Sequence, residues 1–125
     1  MTLTEWIRAT SGEPFRPGWS ECAGWALRWV QVARMVDVSP WMPPDGVDPA
    51  DYVAAAGGLE ALAAGAAAGL CLEPTDMPER GDVGVIVVVR TAVAGICTGP
   101  DRWAVKSKDR VVFIDAKAVL AAWRV

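Results

Sequence analysis

The chain has 125 residues, 53% of them hydrophobic, with 12 Lys and Arg against 15 Asp and Glu and a net charge of −3. That length gives one domain with one core, spanning 1–125, and the apolar content excludes a globally disordered chain. A slightly acidic balance without a basic run leaves no electrostatic footprint for nucleic acid, so no nucleic-acid partner is expected.

The chain contains no histidine. The commonest general base near neutral pH is therefore absent, as is the commonest metal ligand. Cys22, Cys71 and Cys97 have no short spacing between them. A zinc site needs clustered ligands, so neither a metal nor a cofactor is expected, and the thiols are read as reduced. The opening MTLTEWIRAT carries Glu5 and Arg8 without a long apolar core, which predicts no signal peptide.

Thr2 and Glu5 fit a capping box, and Leu3, Trp6 and Ile7 give a short helix one apolar edge before Gly12. Residues 11–19, SGEPFRPGW, hold two prolines and two glycines and read as an ordered loop anchored by Phe15 and Trp19. Ser20 then N-caps a helix over 20–36, SECAGWALRWVQVARMV, in which Trp25, Leu27, Trp29, Val32, Ala33 and Val36 recur at helical spacing. Cys22 falls at the start of that helix. The helix dipole favours its thiolate, while Glu21 beside it opposes that. A cysteine so placed suits a thiol hydrolase, and it equally suits a small buried hydrophobe.

Residues 37–47, DVSPWMPPDGV, form a turn-rich loop stiffened by three prolines. Seven tryptophans in one small domain predict a Trp-rich core. Trp41 is the exception: with Met42 it is the candidate interaction residue, a rigidly presented aromatic of the kind enriched at interface hot spots. The alternative is that Trp41 folds back as a lid. Asp48 and Pro49 open a helix over DPADYVAAA, Gly57 and Gly58 stop it, and LEALAAGAAAGL restarts another.

Residues 71–80 link this helical half, 1–70, to a strand half, 81–125. Gly81-Asp82 is a sharp turn. Strands are predicted at 83–89, 92–98, 103–105 and 111–114, giving an antiparallel sheet of about four strands in an α+β fold. A membrane span over 83–99 is disfavoured by Arg90, Thr91, the glycines and the β-branched enrichment. Residues 116–123 are read as a short terminal helix docked by Leu120 and Trp123.

The order of these features resembles the papain-like cysteine peptidases of the NlpC type, which cleave peptide bonds in bacterial cell walls. Their Asp-Cys-Ser-Gly-like nucleophile motif matches Glu21-Cys22-Ala23-Gly24, and their Gly-Asp before the first core strand matches Gly81-Asp82. Their His-Val-Gly-Ile strand corresponds to Val93-Ala94-Gly95-Ile96, so Val93 stands where the family has its histidine. The chain is more similar still to a family of small phage and prophage tail-associated proteins related to those peptidases. The shared features are the Cys-bearing helix, Gly57-Gly58-Leu59, the Gly95–Gly99 strand and the ending Ala122-Trp123-Arg124-Val125.

That resemblance implies a papain-like scaffold with helix 21–36 against the sheet and Cys22 facing the strand of Val93. It implies a structural component of a phage tail or tail tip that has lost its chemistry. Such a protein is made in the bacterial cytoplasm and carried in the virion, with other tail proteins and the host cell wall as partners. One alternative is an active peptidoglycan hydrolase with Cys22 as nucleophile. A second is a tail assembly factor not retained in the particle. The missing histidine weighs against catalysis, because losing one member of such a pair removes orders of magnitude in rate.

Overall fold

Thr2 opens the first helix as a capping box: its hydroxyl accepts from the Glu5 N–H, and its own N–H donates to the Glu5 carboxylate. The computed structural model describes residues 1–14, 16, 21–116 and 118–125. Helices come first: α1 (Leu3–Thr10), α2 (Cys22–Arg34), a 3-10 turn at Ser39–Trp41, α3 (Pro49–Ala55) and α4 (Leu59–Gly69). Five strands follow: β1 (Val83–Val88), β2 (Thr91–Gly99), β3 (Arg102–Lys106), β4 (Val111–Asp115) and β5 (Val119–Trp123). They form one antiparallel sheet in the order β4-β3-β2-β1-β5. The fold is α+β, with α2 over β2 and α4 over β1 and β2.

The sheet has five strands rather than four, and the predicted terminal helix is β5. Both differences have one cause. β1 runs in the middle of the sheet, with Val83 to Ile86 all buried. With β2 on one side only, its other edge would leave buried backbone groups unpaired. Residues 119–123 satisfy that edge, and a five-residue segment has little helical stability to give up. Trp123 is buried as predicted, whereas Leu120 is exposed. In the linker, Thr75 N–H donates in turn to the Ala122 carbonyl of β5, and the Glu73 carbonyl accepts from Arg124 N–H, so that Pro74 lies opposite Trp123.

α2 is shorter than its periodicity suggested, because Met35 adopts a left-handed conformation (φ 54°) and ends it. Its buried face is Gly24, Trp25, Ala26, Trp29 and Val30, while Val32 and Ala33 are exposed. Glu21 holds the cap position and its side chain makes no capping bond. The predicted cap Ser20, and the anchors Phe15 and Trp19, lie outside the described residues. At α3, Asp48 caps by accepting from the Ala50 N–H, with Pro49 at the first helical position, as the sequence predicts.

The tryptophans build much of the core. Trp6 stacks at 4.9 Å from Trp25 and 5.7 Å from Trp29, joining α1 to α2. The Trp25 indole donates to Thr10 Oγ1, and that of Trp29 to the Gly81 carbonyl, so each polar tip is satisfied. Trp103 lies on the sheet face away from α2, beside the directly paired Gly84 and Gly95. A Cβ at Gly84 would sit 2.8 Å from the Trp103 ring and 2.7 Å from the Ala121 carbonyl, so the glycine pair makes the slot the indole fills. Buried Lys106 fastens the segment after α1 by donating to the Glu13 carbonyl, and Arg28 holds the Glu13 carboxylate through two bonds. Among the described residues, no single helix is long and apolar enough to cross a membrane.

Candidate functional site

Cys22 is the first residue of α2, placed by the turn of chain that Glu21 begins. It packs against both core clusters. In the second of these it is joined by Val93, beside Ile86, Cys97 and Trp103. Val93 packs against that second cluster as well, so the β2 position where the resemblance would place a histidine carries an aliphatic valine.

The electrostatics of the thiol follow from this setting. Burial pushes its pKa up and is the largest effect, and the neighbouring Glu21 adds to it. The backbone N–H groups of Ala94, Ala23 and Cys22 itself pull the other way and lose. Glu21 is itself half-buried, and burial followed by repulsion from Asp48 raises its carboxyl above the ordinary value of 4.5. Both groups shift upward, so Glu21 becomes a somewhat better proton acceptor while Cys22 becomes a poorer donor. Among the described residues, Glu21 is the one charged side chain acting on the Cys22 thiol, and it favours the protonated form.

Asp82, the other carboxylate the motif singled out, has a structural task. It is buried, and its side chain accepts from the N–H groups of Glu79 and Val125. Its backbone carbonyl accepts from Cys97 N–H, and Gly81, at φ 98°, donates to the Cys97 carbonyl. Asp82 thereby ties the entry of β1 to the end of the chain and to β2. The Gly-Asp pair and the Trp-Arg-Val ending are two sides of one contact.

Trp41 and Met42 do not project from the domain. Met42 is half-buried against the main core, and Trp41 lies back over Gly69 of α4, the lid position. Beneath Trp41 is an apolar chamber of about 60 Å³ that sequence reasoning did not anticipate. Its sequence signal is the set of alanines in α4, Ala63, Ala66 and Ala67, facing Gly84 and Ala94, residues too small to fill the space between them. Among the described residues, no cluster of three or more Cys, Asp or Glu could hold a metal ion.

The chain is an α+β domain with a half-buried cysteine of raised pKa at the start of α2. Over residues 1–125 the chain belongs to the family described as a domain of unknown function, DUF6950. No curated protein and no solved structure matches it.

Proposed function

We propose that this domain is a structural component of a phage tail or tail tip, built on an NlpC-type, papain-like scaffold whose thiol chemistry has lapsed. The observation that carries the reading is the environment of Cys22: a raised thiol pKa, packing against the apolar cluster that Val93 also borders, and a chain without histidine. A nucleophilic thiol needs a lowered pKa or an adjacent base, and Cys22 has neither. The resemblance to tail-associated proteins supplies the setting, in which the protein is made in the bacterial cytoplasm and retained in the virion. Its partners are then other tail proteins, with the host cell wall within reach of a tail tip. The proposed docking surface is the outer rim of loop 37–47 around Trp41 and Met42, stiffened by Pro40, Pro43 and Pro44 so that little ordering entropy is lost on contact.

The chemical half of this reading is tested with peptidoglycan stem-peptide fragments. Incubation with the folded protein should release no new amines above a Cys22→Ala control. Release that depends on Cys22 would establish the alternative, a cell-wall hydrolase in which another group has taken the place of the histidine.

A further inference from the structure

The chamber beneath Trp41 is bounded by α2, α4 and β1. Val30 and Val85 are its most enclosed surfaces, Ala94 adds to them from β2, and Ala26, Ala66 and Ala67 line it from the facing helices. Among the described residues, no lining side chain carries a charge, hydroxyl or amide, and the polar side-chain groups are the indoles of Trp41 and Trp123. A buried water needs two to four polar partners, so this space suits hydrocarbon and not water. Protein interiors keep few voids larger than a water molecule, yet here alanines stand where a single leucine would close the space.

The roof differs from the rest of the lining. Trp41 sits on a short 3-10 turn flanked by Pro40 and Pro43, and its ring rests on Gly69, where any Cβ would overlap the ring carbon Cζ2. The indoles of Trp25 and Trp29 are fixed by hydrogen bonds, whereas that of Trp41 has no acceptor among the described residues. Among the described residues, packing is what holds the Trp41 ring in place.

We propose that this chamber binds the end of an uncharged aliphatic chain, with Trp41 as its lid. A cavity of 150 Å³ takes a benzene ring, so the 60 Å³ here admits about two or three carbons beneath the closed lid. Lifting the ring makes room for more, and the polar end of the ligand stays outside beside the Trp41 N–H. This binding needs no chemistry at Cys22, and because its lid belongs to the loop proposed above as the docking surface, it is measured on the isolated domain.

The probe is 1-hexanol, followed through the methyl NMR signals of Ala26, Ala66, Ala94, Val30 and Val85. These signals should shift together and saturate, while methyls remote from the chamber stay still. Ala66→Leu fills the space and should weaken the apparent affinity at least about tenfold with the fold intact. If that variant does not fold, Ala26→Val adds less volume and makes the same comparison. Gly69→Ala displaces the ring and should speed exchange of the bound alcohol. No saturable shift in the wild type, or undiminished binding in a folded filled variant, would overturn the site. An unchanged exchange rate in Gly69→Ala would overturn the role of Trp41 as lid.

Discussion

At Cys22 the helix dipole and the backbone N–H groups favour a thiolate, while burial and Glu21 favour the thiol, and burial is the largest of these effects. The three cysteines should consequently separate by reactivity. Cys71 is exposed, Cys22 is half-buried with a raised pKa, and Cys97 is buried with its pKa also raised by burial. A disulfide reagent at neutral pH should titrate one fast thiol in the folded protein and three in denaturant. The sign of the pH effect follows: because the folded pKa of Cys22 lies above its ordinary value, its reaction should stay slow as pH rises through that value. Fast modification of Cys22 at neutral pH, located by peptide mapping, would mean the thiol is activated. Much of this was legible in the sequence, since Cys22, Glu21 and the absent histidine define the opposing effects. Burial as the winning effect was legible too, because a helix start set against the strand of Val93 loses water, and the raised pKa agrees.

Among the elements, the Gly84–Gly95 pair and Trp103 give the sheet a second packed face. Gly84→Ala should cost about 1–3 kcal/mol, because the new methyl meets both a carbonyl and the indole and neither can retreat without opening the core. Gly95→Ala should cost less, its nearest neighbours being at 3.1 and 3.3 Å. Denaturant unfolding of the two variants checks the order, and equal stability of Gly84→Ala and wild type would contradict the slot. The chamber under Trp41 has an energetic consequence too: left empty, about 60 Å³ forfeits about 1.4 kcal/mol of packing. At this scale the sequence spoke clearly for β1 to β4, whose β-branched runs end in glycine and charged turns. It misled at 116–123, where a short Ala-rich run satisfies either period and only the open edge of β1 decides.

For the molecule as a whole, Asp82 joins the turn into β1 to the end of the chain, and Trp29 joins the same turn to α2. The helical and strand halves are therefore locked at the Gly-Asp motif, and the conformation of Cys22 is fixed by contacts distributed over both. The order of the motifs pointed to this arrangement. The chamber did not show in the sequence, because a void is a property of what neighbouring side chains fail to fill. A domain so braced, with a thiol of raised pKa at Cys22 and a proline-stiffened loop, fits the proposed place in an assembly. Mass spectrometry of purified phage particles from the source system tests that claim most directly. Our account predicts the protein in the particles, in fixed proportion to other tail proteins; its presence in the infected lysate but absence from the particles would contradict a structural role.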